Sequence, residues 1–264
     1  MDLDLSGKVA LIAGGSRGIG KAIAKRLIEE GCRVAICARD KARLDAAVTE
    51  LSQGKTNVAI GISTDATNVD AVKACVAKTH EAFGRIDILV YSAGTHVRAT
   101  VDTATPEILE RQLREKVVAP ITMIQAVLPI MRKQKDGRII TIVGQAARHP
   151  HPDRFPSGVS NGAQMSLTKA IADAVARDNI RVNAVCPQYI ESDLLTGVIN
   201  GEMKKHNIDR AQATAGFTRA LPLGRTGTVE EVADLTAFIA SDRASFITGS
   251  SVSIDGGYHR YVFG

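Results

Sequence analysis

The sequence predicts an α/β fold, a doubly wound parallel sheet flanked by helices on both faces, and two observations carry that expectation. Short apolar runs alternate down the chain with longer stretches whose apolar residues recur at helical spacing, the pattern of parallel strands joined by crossover helices. The second observation is A-G-G-S-R-G-I-G, Ala13 to Gly20, which follows the apolar run Val9 to Ala13 and opens a helix. Gly14, Gly18 and Gly20 permit a tight turn and close approach of backbone to a pyrophosphate, and the first-turn N–H groups of the helix point at the anion. A glycine repeat alone is equally compatible with an ordinary loop. Its context argues for the phosphate site. Ile19, Ala22, Ile23 and Leu27 share one helix face, Gly31 stands where a left-handed cap belongs, and the run Val34 to Ala38 completes a βαβ unit. The implied ligand is a dinucleotide.

Beyond that unit, Asp40 caps a helix carrying Leu44, Ala47, Val48 and Leu51, and Val58 to Ser63 is the third strand. Val69, Val72, Val76 and Phe83 form a helical stripe ended by Gly84. Ile86 to Tyr91 is a buried strand closed by Ser92, Ala93 and Gly94. Pro106 starts a long helix through Ile108, Leu113, Val117, Ile121, Ile124 and Leu128. Gly137 introduces the strand Ile139 to Val143, Ala163 to Ala176 is helical, and Arg181 to Cys186 is a strand. Thr228 with Glu231 makes a capping box for the helix Val229 to Ile239, and Ser251 to Ile254 is the last strand before Asp255, Gly256 and Gly257. The sum is a Rossmann-like sheet, whose ligands sit at the carboxyl ends of the strands. One polar stretch, Gly197 to Phe217, breaks the rhythm and reads either as a lid or as a solvated helical insertion.

With 264 residues, 45% of them hydrophobic, and no composition break, residues 1–264 read as a single domain in which 197–217 is the one insertion. The opening M-D-L-D-L-S-G-K lacks the basic region and apolar run of a targeting peptide, and no apolar run approaches the ~18 residues of a membrane span. A cytoplasmic protein without a membrane partner is expected. Cys32, Cys37, Cys75 and Cys186 show no C-x-x-C or Cys/His spacing, so reduced core thiols and no metal are expected. The net charge of +5 comes from Lys and Arg scattered among Asp and Glu, with aromatics at 4% and no Trp. That argues against nucleic acid and fits a modest anionic ligand.

Over almost its whole length the chain resembles the short-chain dehydrogenase/reductase family. Ala13 to Gly20 is similar to the family's T-G-x-x-x-G-I-G loop with Ala for Thr, Ser92-Ala93-Gly94 to its N-A-G stretch, and I-R-V-N-A-V-C-P, Ile180 to Pro187, to its sixth strand. The later P-L-G-R, E-E-V-A, I-T-G and D-G-G blocks also resemble it. The resemblance implies a cofactor site of Gly14, Ser16, Arg17, Gly18, Ile19, Gly20, Asp65, Ala66, Ser92, Ala93, Gly94, Pro187 and Ile190, with Asp65 in T-D-A beside the adenine. Arg39 follows the second strand, where an acidic residue would bind a ribose 2′-OH and repel a 2′-phosphate. Together with Arg17 it favours NADP(H) over NAD(H). Asp40, one place on, can face the ribose instead, and either arginine can be a plain surface charge.

The family's catalytic tetrad of Asn, Ser, Tyr and Lys is replaced throughout. Counting back from Ile180 to Asn183 puts the tyrosine and lysine positions on Ser157 and Asn161; counting forward from G-R-I-I-T-I-V-G puts the serine on Gly144. K-V-V-A-P, similar to N-L-x-G-P, puts Lys116 at the asparagine. None of the four tyrosines stands four places before a lysine. The tyrosine exchanges a proton with the carbonyl oxygen and the lysine lowers its pKa, so Ser157, an aliphatic alcohol without a charged neighbour at Asn161, cannot simply inherit the role. Asn161 can still hydrogen-bond the nicotinamide ribose, and Gln145 offers an amide in place of the missing serine hydroxyl. His151, in R-H-P-H-P-D-R with Asp153 nearby, and Lys116 are rival replacement acids.

Two function classes follow. The first is an NADP(H)-dependent oxidoreductase acting on a carbonyl or alcohol through a rebuilt site, with an anionic small-molecule substrate suited to Lys116, Arg148, His149, His151 and Arg154, with His96 and Arg98 after the fourth strand. The second is an NADP(H)-binding protein without redox turnover, a sensor or inactive subunit; a non-redox lyase or isomerase stands behind both. The resemblance also implies a homo-oligomer, a tetramer built on the faces of Ile108 to Leu128 and Met165 to Val175 and on the last strand.

Overall fold

The computed structural model describes residues 2–260. Seven parallel strands, β1 (Val9–Ala13), β2 (Arg33–Ala38), β3 (Ala59–Ser63), β4 (Ile88–Tyr91), β5 (Gly137–Ile142), β6 (Ile180–Pro187) and β7 (Ser251–Ile254), lie in the order β3-β2-β1-β4-β5-β6-β7. Strand order reverses between β1 and β4, where Ala13 pairs with Tyr91, and a doubly wound sheet opens its crevice at such a switch point.

Alternation along each strand feeds two cores. Ala10 and Ile12 of β1 join one core with Ile23 and Leu27 of α1 (Gly18–Glu29) and Val232 and Ala237 of α9 (Val229–Ala240). Val9, Leu11 and Ala13 join the other with Val72 and Val76 of α3 (Val69–Phe83) and Met123 and Val127 of α5 (Ala119–Gln134). The four cysteines are free and buried. Among the described residues no helix is long and apolar enough to cross a membrane.

Caps follow the sequence. Asp40 caps α2 (Lys41–Ser52), Gly84 adopts φ +77° after α3, and the Thr228–Glu231 box opens α9. Three segments differ. The helix from Pro106 runs as α4 (Pro106–Leu113), a π turn over Arg114–Val118, and then α5. α6 (Phe155–Val175) begins at Phe155 rather than Ala163. Its first turns bury small polar residues, among them Ser157, Ser160 and Asn161, so no apolar stripe betrays the helix there. The insertion at 197–217 falls in α7 (Asp193–His206) and α8 (Arg210–Thr218), which share a small core of Leu195, Ile199 and Ala213 flanked by Tyr189, Met203, Ile208 and Phe217.

Candidate active site

The glycine loop is shaped by close approach. Gly14 has φ +80°, and a Cβ there would stand 2.8 Å from the Ala93 nitrogen; a Cβ at Gly20 would stand 2.2 Å from the Gly14 carbonyl oxygen. Arg17, the N-cap residue of α1, contributes no side-chain cap, and the first turn holds no acidic residue. The first N–H groups of α1 are thus left for an external anion, which the helix dipole favours. Ser16 is buried, Gly18 turns at φ +51°, and Ile19 packs on the first core.

Around the loop, Ser92 donates its N–H to Ala13 at 2.9 Å and so fixes the Ser92-Ala93-Gly94 end of β4 beside β1. Arg17 and Arg39 are exposed and make no ion pair among the described residues. Asp40 accepts from the Arg43 N–H at 3.0 Å, so its carboxylate serves α2. Asp65 accepts from the N–H and hydroxyl of Thr67 at 2.9 and 2.8 Å, which holds its carboxyl below the usual range, with Arg39 adding to the effect. Ala66 packs on the second core, Pro187 ends β6, and Ile190 is buried and bridges to Gly227. An uncapped helix start with a glycine cradle and two unpaired arginines fits a phosphorylated dinucleotide.

The chemical end of the cleft gathers Lys116, Gly144, Ser157 and Asn161. Lys116 lies in the π turn, an element that re-aims side chains and is frequent at functional sites. The Tyr91 hydroxyl donates to the Glu115 carbonyl at 2.8 Å and ties this turn to β4. Lys116 is 9% exposed, and its stem lies 3.6 Å from a Cβ placed on Gly94. No hydrogen bond or ion pair holds its ammonium among the described residues, and burial pushes its pKa down to about 8 against the opposing pull of Glu115. Asn161 accepts from the Gly144 N–H at 3.3 Å, a contact that glycine allows because a Cβ there would stand 3.2 Å from Nδ2. Its amide nitrogen has no partner among the described residues.

Ser157 is fully buried, and its Oγ takes part in a contact network with the Val97 backbone, Gln112 Oε1 and His96 Nδ1. Two other candidates are directed elsewhere. The Gln145 amide donates to Ser253 Oγ and Asp255 Oδ2, both at 2.8 Å, so the edge strand and its carboxylate hold it rather than the space beside Gly144. His151 pairs with Asp153 and lines a cavity of about 510 Å3 with Thr100, Val101, Asp102, Pro152 and Phe155, a wall that includes neither Lys116, Ser157 nor Asn161. Several cations are likewise engaged. Arg98 binds Asp153 and Glu202 at 2.7 Å each, and Arg148 donates to the Ser251 carbonyl at 2.8 Å. His96, read from sequence only as a nearby charge, is a member of the cluster. Burial, with the charges of Lys116, Arg154 and Arg98, pushes its pKa down to about 4, against Asp153. No spacing in the sequence links it to Ser157.

Known proteins share this architecture. A sequence family described as enoyl-(acyl carrier protein) reductase matches residues 13–259. The NADPH-dependent reductase BacG of Bacillus subtilis is 30% identical over 96% of this chain and 98% of its own length, and the 3-oxoacyl-[acyl-carrier-protein] reductase FabG of Thermotoga maritima 33% identical over 96% and 98%. L-sorbose reductase from Gluconobacter frateurii, solved in complex with NADPH and L-sorbose, superposes with a TM-score of 0.95 at 30% identity, covering 99% of this chain and 100% of that one. With a seven-stranded Rossmann sheet, an uncapped glycine loop and relatives matched nearly end to end, the chain belongs to the short-chain dehydrogenase/reductase family.

Proposed function

We propose that the protein is an NADP(H)-dependent oxidoreductase that reduces a small carbonyl compound, with Lys116, at the position of the family's asparagine, taking over the proton donation that the tyrosine performs in the family. The carrying observation is a buried ammonium that, among the described residues, has no counter-ion and lies against Gly94 at the end of β4, together with an Asn161 amide nitrogen that has no partner among them. Relatives named as NADPH-dependent reductases support the cofactor, as do the unpaired Arg17 and Arg39. Bound NADPH supplies the hydride. The α1 N–H groups would hold its pyrophosphate, Arg17 and Arg39 its 2′-phosphate, and Asn161 its nicotinamide ribose. Lys116 Nζ gives a proton to the carbonyl oxygen and is left as the neutral amine, which a buried site favours.

Losing a general acid costs roughly 10² to 10⁴ in rate, whereas positioning of the reactants contributes about 7 to 11 kcal/mol, so turnover without the phenol is physically sound. Lys116 is also the cation that supports an anionic substrate, since Arg98 and Arg148 already meet protein oxygens. One observation favours a second reading, nucleotide binding without turnover: the hydroxyl of Ser157 is sealed from the cleft. NADPH consumption against a panel of ketones and aldehydes between pH 6 and 10 decides between them. Turnover that declines as pH rises through about 8 is expected, because the donor must carry its proton. NADPH binding with no carbonyl reduced would establish the second reading, and conversion of substrate without NADPH oxidation a lyase or isomerase.

A further inference from the structure

The hydrogen positions around Ser157 follow from one carboxylate. Glu115 Oε2 receives the Thr95 N–H at 3.0 Å and the Thr95 hydroxyl at 2.5 Å, and an ionised carboxylate only accepts. With its proton so placed, Thr95 Oγ1 must accept from Gln112 Nε2, 3.0 Å away. That fixes the Gln112 amide with Oε1 toward Ser157, at 3.3 Å. Gln112 is fully buried, and Ser157 is the one donor that reaches this oxygen among the described residues. A buried acceptor left without a donor there is destabilising. The serine proton therefore goes to Gln112 rather than to the Val97 carbonyl, also 3.3 Å away, and with either acceptor Ser157 Oγ is left to accept at its other contacts. It accepts from the Val97 N–H at 3.3 Å and faces His96 Nδ1 at 3.4 Å. Two lone pairs cannot meet at that contact, so Nδ1 carries the imidazole proton.

The consequence lies on the other edge of the ring. With Nδ1 donating to a buried serine, Nε2 is left as the acceptor of a half-buried ring, and the Lys116 stem packs against Gly94, two residues before His96. An ammonium donor whose stem lies against Gly94 and an imidazole acceptor two residues further along the same segment match a ketone oxygen next to a hydroxyl on the adjoining carbon. We propose that His96 Nε2 accepts a hydrogen bond from that hydroxyl and so selects α-hydroxycarbonyl substrates, an assignment that rests on the carbonyl-reductase reading above. A methyl ether or a plain ketone leaves Nε2 unpaired, and sites built to bind a hydroxyl discriminate strongly against analogues that lack it. Burial first, then the charges of Lys116 in the π turn, Arg154 before α6 and Arg98 in its own loop, keep the ring neutral at working pH, against the pull of Asp153.

The test pairs kinetics with a measurement that needs no turnover. With NADPH, 1-hydroxy-2-butanone is compared with 1-methoxy-2-butanone and 2-pentanone, in the parent and in His96→Ala. The parent should prefer the hydroxyketone at least 10²-fold in kcat/KM over both, and His96→Ala should bring the ratio to within a few-fold of one. Nitrogen-15 NMR of the imidazoles in the full chain, with His96 identified by its loss in His96→Ala, should show a neutral Nδ1–H tautomer from pH 5 to 8. An Nε2–H tautomer, titration near pH 6.5, or a preference that survives His96→Ala would overturn the assignment while leaving reductase activity in place. Failure to reduce any carbonyl with NADPH bound would instead remove the underlying reading and this assignment with it.

Discussion

Burying the Lys116 ammonium destabilises the fold for as long as the amine is charged. Its folded value of about 8 lies below the ordinary 10.5, so between those values the folded chain binds fewer protons than the unfolded one and stability rises with pH. Below about 8 the penalty is present in full, on the order of 3 kcal/mol by the usual conversion of a pKa shift. Lys116→Met should therefore raise the midpoint of chemical unfolding at pH 7, with a gain that shrinks toward pH 10.5. On the proposed mechanism the same variant should lose 10²-fold or more in kcat. Unchanged stability at pH 7 would mean that the ammonium is well solvated. Unchanged kcat would assign the proton to another group or to water.

Elements place these residues where propensity alone does not. The π turn sets Lys116 against Gly94, and the cap of α2 engages the Asp40 carboxylate with the Arg43 N–H. Two neighbouring variants separate those duties. Arg39→Asp should weaken NADPH binding far more than NADH binding in calorimetry, because it removes a cation and adds repulsion at the 2′-phosphate. Asp40→Ala should cost about 1 kcal/mol of stability through the lost cap and leave the NADPH/NADH preference intact. Equal losses for both nucleotides in Arg39→Asp would sink the phosphate reading. α6 and the π turn also explain what was hard to read: a helix that buries serines and an asparagine has no apolar period, and a π turn leaves no signature in spacing. Strands and amphipathic helices were legible because burial imposes their period.

Across the molecule, Arg98 joins three regions: the segment after β4, the loop before α6 through Asp153, and α7 through Glu202. Such partly exposed pairs contribute little to global stability, so Arg98→Ala should move the melting temperature only slightly. It should speed amide exchange in α7 and α8, which rest on a small core of their own. Exchange that is unchanged there would show that packing alone holds the insertion. We also propose a homotetramer, supported by the exposed Val118 and Val159 near the helix faces named from sequence and by Phe246 near β7. Light scattering at micromolar concentration should give four chains, and a monomer would remove the proposal.

The sequence by itself determined the sheet, its βαβ order and the glycine cradle, because strand and helix periods and the steric demands of glycine are local and survive in one dimension. It also brought Lys116, Ser157 and Asn161 forward as candidate site residues. Which of them face the cleft was decided by the tertiary structure. Ser157 is sealed beneath the loop after β4, Gln145 is drawn to Asp255, and His151 lies against an outer cavity. His96 acquires its orientation from Glu115 through Thr95, Gln112 and Ser157, residues drawn from three separate segments. Hydrogen-bond direction depends on which donors and acceptors are buried together, and that is a property of packing that no spacing along the chain records.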